Sequence, residues 1–275
     1  MNFTNQQLER YSRHIILKEI GVKGQKRLCA GSVLVVGATG PAVPAVMYLA
    51  AAGVGKIGIC DTSNEGAAFA ESAAESARAL NPDIEVKAFG TSPEGEAFER
   101  LLSGYDFAVI AGSGTGEQTL LINDICLSLG KPFVAASAAA TAASAAGDAA
   151  TAKNDAAAVT EVDAAKGGSL WRIMTVIPGK SPCLRCANTF LRNSGAPEFC
   201  SESREVTDTK AAWEGASDGI VGSVEAADAV KFIAGAGTLI CGRALCFDPA
   251  GTEYSVIDLA AACCGTDRCG FRPEI

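Results

Sequence analysis

Apolar and polar positions alternate along the chain in blocks that predict strands and helices in turn. "SVLVV" (32–36) is a continuous run of mostly β-branched residues, as expected of a strand buried on both faces. Pro41 suits the first turn of a helix running to about Ala52. "KIGIC" (56–60) predicts a second strand, and residues 65–80 an Ala-rich helix stopped by Asn81-Pro82. "IEVKAF" (84–89) predicts a strand, Pro93 to Ser103 a helix, and "FAVIAG" (107–112) a strand. A helix to about Leu129 and the strand "PFVAAS" (132–137) follow. Such alternation implies a parallel sheet with helices on both faces.

Before this block, residues 5–17 read as one amphipathic helix, with Leu8, Tyr11, Ile15 and Ile16 near helical spacing and Thr4 or Asn5 as N-cap. After it, the pattern breaks. Residues 138–168 are nearly all Ala, Thr, Ser, Asp and Gly, so they can bury little surface and read as a mobile crossover. "LWRIMTVI" (170–177) then predicts a strand, "SPCLRCANTFLRN" a turn carrying two cysteines, and 219–235 a helix apolar on most sides. "LICGRALCFD" and "TEYSVIDL" predict an antiparallel hairpin around "PAG". The expected architecture is an α/β, Rossmann-like, doubly wound and mainly parallel sheet with a short antiparallel C-terminal extension. Residues 1–275 read as a single domain: an N-terminal helical segment (1–30), a nucleotide-binding-like half (31–137), the Ala-rich crossover (138–168) and a C-terminal half (169–275).

Charge narrows the partners. A formal net charge of −8 and a pI near 4.8 argue against nucleic acid or an anionic membrane. No window approaches the roughly 20 apolar residues of a membrane span. The polar start "MNFTNQQLERYSRHII" has no signal-peptide core. The expectation is a cytoplasmic protein. In that reducing compartment, eleven cysteines suggest metal or redox chemistry rather than disulfides. One histidine, His14, leaves little room for His-based metal sites or Ser-His catalysis.

Three constellations carry candidate chemistry. The turn "GATGPA" opens a helix after the first strand, where free N–H groups and the helix dipole suit a phosphate. Gly37 and Gly40 are kept; Thr39 and Ala42 stand where further glycines are usual; Asp61 ends the second strand, where an acid typically holds a ribose. Cys183 and Cys186 have C-x-x-C spacing, and Cys263, Cys264 and Cys269 offer a second pair for a closed, structural four-cysteine zinc clasp. Either Cys263 or Cys264 can complete it. Cys200, among charges in "PEFCSESREV", reads as an exposed thiol that Arg204 could activate.

Together "RYSRHIILKEIGVKGQKRL", "VLVVGATGP", "YLAAAGVGKIGICD", "ESARALNPDIEV", "SPCLRC", "GIVGSVEAADAVK" and the cysteine tail resemble, in order, the ubiquitin-activating-like adenylyltransferases of the ThiF/MoeB/HesA type. The resemblance covers most of the chain outside 138–168. It implies ATP- and magnesium-dependent adenylylation of the C-terminal glycine of a ubiquitin-like sulfur carrier. It places Gly37 and Gly40 along the ATP phosphates and Asp61 on the ribose. It sends Arg13 to the nucleotide of a neighbouring subunit, which implies a homodimer. It assigns zinc to Cys183, Cys186, Cys264 and Cys269, and sets Cys200 near the family's sulfur-relay or thioester cysteine.

The departures fall on the nucleotide. The segment after Asp61 is shortened and has no Arg before Arg78. Ala73 aligns with the family's Lys, and Gly114 with its magnesium-binding Asp, with Glu117 the nearest acid. Groups that stabilise one transition state fail together when several are lost. ATP and magnesium are therefore implied by the resemblance and opposed by these residues. Two readings follow: an adenylylating enzyme with weak or lost activity, or a dimeric carrier-binding or scaffold protein without catalysis. A nicotinamide enzyme on the same unit is disfavoured by the missing G-x-G-x-x-G.

Overall fold

The computed structural model describes residues 3–61, 66–91, 95–111, 115–140, 169–196, 198–200, 214–249, 251–262 and 269–271. Gly114, Arg204, Cys263, Cys264 and most of the Ala-rich crossover lie outside the described residues.

Among the described residues one sheet forms, from β1 (Ser32–Val36), β2 (Lys56–Cys60), β3 (Glu85–Phe89), β4 (Phe107–Ala111), β5 (Phe133–Ala140), β6 (Ser169–Val176), β7 (Arg243–Asp248) and β8 (Glu253–Asp258). Its order is β3-β2-β1-β4-β5-β6-β7-β8. The strands from β3 across to β5 pair in parallel, and β5 through β8 pair antiparallel. The doubly wound sheet is thus as expected, with β6 joining the C-terminal hairpin in the antiparallel portion. Chain order reverses between β1 and β4, and such a switch point opens a crevice at the carboxyl ends of the strands.

The continuous apolar runs explain the two-sided core. Val33 and Val35 of β1 face one buried cluster, and Leu34 and Val36 face the other. The first cluster lies beneath α4 (Ala42–Ala52), α5 (Gly66–Leu80) and α9 (Glu214–Ala234). The second lies beneath α6 (Gly95–Ser103), α7 (Gly116–Ser128) and α8 (Leu184–Asn193). On α5 the buried stripe is Ala70, Ala73, Ala74 and Ala77, at helical spacing, so small side chains let this helix lie close to its neighbours.

Two expectations change. The helix predicted over 5–17 is interrupted at Tyr11, giving α1 (Asn5–Arg10) and α2 (Ser12–Ile15) before α3 (Gly21–Ala30). Thr4 caps α1 in a reciprocal capping box with Gln7. The expected apolar face is not buried: Leu8 is 43% exposed and Ile16 79%. Tyr11 alone goes inside. Its ring fills the notch at Gly53 (φ 82°), where a side chain would collide with it, and its hydroxyl accepts from Asn81 Nδ2 at 3.0 Å. The second change is at "SPCLRCANTFLRN", which is not a turn: from Leu184 it forms α8, with Cys183 at the N-cap.

Candidate functional site

The Gly-turn joins β1 to α4 at the switch point. Gly37 (φ 122°) and Gly40 (φ 57°) adopt backbone that other residues reach only with strain. Within the turn the Gly37 N–H donates to Cys60 O at 2.7 Å, and the Ala38 N–H to Asp61 Oδ2 at 2.8 Å. Asp61 is 7% exposed, and its other oxygen presses against Gly66 at the start of α5, where a Cβ would collide with it. Asp61 therefore stands at the end of β2 as expected, but its carboxylate closes the turn from inside.

A second carboxylate meets the turn from the far end of the chain. A Cβ at Gly40 would stand 3.5 Å from Asp218 Oδ2 and 3.6 Å from Asp218 Cγ and Oδ1. One helical turn on, Gly222 brings α9 against the first turn of α4: a side chain there would collide with Pro41 O and stand 2.7 Å from Pro44 Cγ. The i, i+4 spacing puts Asp218 and Gly222 on one face, so the close approach that Gly222 allows carries Asp218 to Gly40. Spacing around the turn gives no sign of Asp218. The only sequence hint is a glycine inside an apolar helix, which often marks tight packing.

The residues that stand nearest the family's missing nucleotide contacts take other places. Ala73 lies in the core beneath α5. Arg78 pairs with Glu71 at 2.6 Å on the surface, and Glu117 is exposed in the first turn of α7. Arg13 is exposed on α2. Its neighbour His14 is held by Gln25 (Nδ1 to Oε1, 2.9 Å), and Gln25 donates to Ala52 O at 2.9 Å, which fastens α2 and α3 to the end of α4.

The cysteines converge. Sγ of Cys186 lies 3.6 Å from those of Cys183 and Cys269; all three lie within 4.8 Å of one another and all are buried. A tetrahedron of Zn–S bonds near 2.3 Å separates its sulfurs by about 3.8 Å, so these thiols fit three corners of a zinc site. The Gly179 N–H donates to Cys269 O at 3.2 Å, holding the tail beside the body.

Cys200 departs from expectation. It is 2% exposed rather than open to solvent. Asn188 on α8 holds its backbone, accepting from its N–H at 3.0 Å and donating to its carbonyl at 3.2 Å. Burial pushes the thiol up to about 12, Glu198 adds to the push, and Arg185 and a hydrogen bond with Ser137 oppose it. In this arrangement Cys200 is a protonated, covered thiol. Beneath it, Arg172 of β6 is a buried guanidinium that sequence reading passed over. Its Nη1 donates to Glu198 O at 3.2 Å and its Nε has no partner.

Glu225 and Asp228 on α9 are both fully buried and differently served. Asp228 accepts from Thr175 Oγ1 (2.6 Å), the Ile240 N–H (2.7 Å) and Lys231 Nζ (2.9 Å). Neither oxygen of Glu225 is hydrogen-bonded, and burial holds its pKa well above the ordinary 4.5. The nearby Ala136 backbone offsets part of that push.

Known proteins agree with this layout. A sulfur carrier protein adenylyltransferase from Thermus thermophilus is 30% identical over 90% of this chain and 86% of its own length. The adenylyltransferase and sulfurtransferase MOCS3 of Culex quinquefasciatus is 31% identical over 98% of this chain, which spans only 57% of that relative. The SAMP-activating enzyme E1 of Haloferax volcanii is 29% identical over 91% of this chain and 85% of the relative. Among solved structures, E. coli MccB with MccA-N7isoASN superposes with a TM-score of 0.68 at 15% identity, covering 98% of this chain and 76% of that one. At that identity it speaks for the fold alone. No helix among the described residues is long and apolar enough to cross a membrane. The profile of the ThiF family matches residues 11–64 and 62–266, and with the switch-point Gly-turn and the converging cysteines this makes the chain a member of the ThiF family.

Proposed function

We propose that this chain engages the C-terminal tail of a ubiquitin-like sulfur-carrier protein, as a cytoplasmic homodimer, and that it adenylylates that tail slowly. The carrier reading rests on a relative named sulfur carrier protein adenylyltransferase that aligns over 90% of this chain, beside one named adenylyltransferase and sulfurtransferase. The slowness rests on one observation: among the described residues, carboxylates and not cations meet the Gly-turn. In this reading Gly37, Gly40 and Asp61 border the nucleotide, and Arg13, exposed on α2, reaches toward the partner subunit. Cys200 reacts only after its loop releases from Asn188. Cys183, Cys186 and Cys269, with Cys264 as fourth ligand, hold a structural zinc that pins the tail to α8. Asp61 and Asp218 oppose the negative phosphates of ATP at the turn, which fits a slow enzyme rather than a fast one.

Carrier-dependent ATP–pyrophosphate exchange tests the proposal. The expected result is slow exchange that needs carrier and disappears in Asp61→Ala. Exchange as fast as that of the Thermus relative, assayed side by side, would refute the slow reading. Absence of binding to a purified panel of ubiquitin-like sulfur carriers would refute the carrier reading. Firm carrier binding without exchange would establish the second reading, a carrier-binding protein without catalysis, which the Asp218–Gly40 contact favours.

A further inference from the structure

We infer that Asp218 is a built-in occupant of the phosphate cradle, an autoinhibitory contact that nucleotide must displace. This rests on reading the Gly-turn as the nucleotide site. The N-terminus of α4 presents the positive end of a helix dipole, and a carboxylate answers it as a phosphate does. Asp218 reaches that position from α9, with its carboxylate in van der Waals contact range of the space beside Gly40.

The placement is built, not incidental. Gly222 lets α9 lie on Pro41, Pro44 and Ala45, so the element carrying Asp218 is fixed to the same helix turn that would receive the phosphate. Val221 and Glu225, flanking that contact on α9, are fully buried. Asp61 already accepts from the Ala38 N–H within the turn. A phosphate settling on Gly37–Gly40 would therefore meet two carboxylates at short range in a partly desolvated place, where like charges repel far more than in water. Asp218 itself is half-buried. Nucleotide binding then competes with a tethered anion, and anything that neutralises Asp218 or draws it away opens the cradle.

Calorimetry of ATP binding to the full chain, with and without magnesium, tests this. Asp218→Asn keeps the shape and removes the charge; Asp218→Ala removes the occupant and serves if the first variant folds poorly. The expected result is tightening of about tenfold or more in both conditions. Unchanged affinity overturns the inference. So does weakened magnesium–ATP binding with magnesium-free binding unchanged, which would make Asp218 a metal ligand. No binding by wild type or variants also overturns it, because something other than Asp218 then closes the cradle. Carrier is absent from this measurement. Tightening without any carrier-dependent exchange would keep the inference and remove the adenylylation reading, and carrier-dependent exchange with no tightening would do the reverse.

Discussion

The cysteine cluster and the Gly-turn are two candidate sites on the same fold, and they differ in what surrounds them. At the cluster, three thiols from two distant segments still converge at ligand spacing. At the turn, among the described residues, carboxylates meet the backbone frame: Asp61 accepts from the Ala38 N–H, Asp218 lies beside Gly40, and Arg78, the first cation after Lys56 in the chain, pairs with Glu71 at the surface. A metal site depends on a few side-chain atoms that must all be present. A phosphate site depends largely on backbone amides, which survive while side chains around them drift. The frame of a nucleotide site is thus weaker testimony to its use than the frame of a metal site.

The largest test removes the clasp. Cys186→Ser should lose about one zinc per chain and cost on the order of 5 kcal/mol, since structural zinc contributes roughly 10 kcal/mol or more to folding. Metal content by mass spectrometry and urea unfolding measure both. A zinc-free wild type whose unfolding midpoint ignores chelator would break the comparison at its firmer end. Next, Asp228→Ala leaves the Thr175 hydroxyl and the Ile240 N–H without their buried acceptor and should cost about 3 kcal/mol while zinc content stays the same. Loss of zinc in this variant would mean the two regions are not independent.

Gly222→Ala forces a methyl into Pro41 O and should cost about 2 kcal/mol by overpacking. A neutral result would show that α9 does not sit tightly on the turn. Smallest is Glu225→Met, which removes a buried carboxyl without hydrogen bonds and should add about 1 kcal/mol at pH 7. Its pH dependence has a definite sign. The folded state keeps a proton that the unfolded state releases above about pH 4.5, so this contribution is whole below 4.5 and is lost as pH rises toward the raised folded pKa. Wild-type stability should fall with rising pH in that window, and the Met variant should flatten the fall. Parallel curves would mean that Glu225 is paired.

Much of the fold was legible because its strands are continuous apolar runs bounded by Gly, Pro and Asn. β1, β2 and β4 fall where the pattern puts them. The paired cysteines were legible for a similar reason, since metal ligands must recur at short spacing. What was not legible depends on distant contacts. Tyr11 leaves its helix for a notch that only the α4–β2 turn creates. Cys200 looked exposed among charges, but Asn188 draws its backbone in. The helix after Cys183 was hidden because the two thiols dominated the reading of that stretch. Asp218 acts on a turn far earlier in the chain, and nothing local to either announces the other.

The seating of Tyr11 also sets an order of events. Its pocket is made by Gly53 and its hydroxyl partner is Asn81, so no binding place exists for the ring until α4, β2 and α5 have formed. As the chain emerges from the ribosome, its N-terminal segment must wait, with Leu8 and Ile16 gaining little burial even afterwards. Tyr11 thus takes its place only once a partner 70 residues further along the chain is in position.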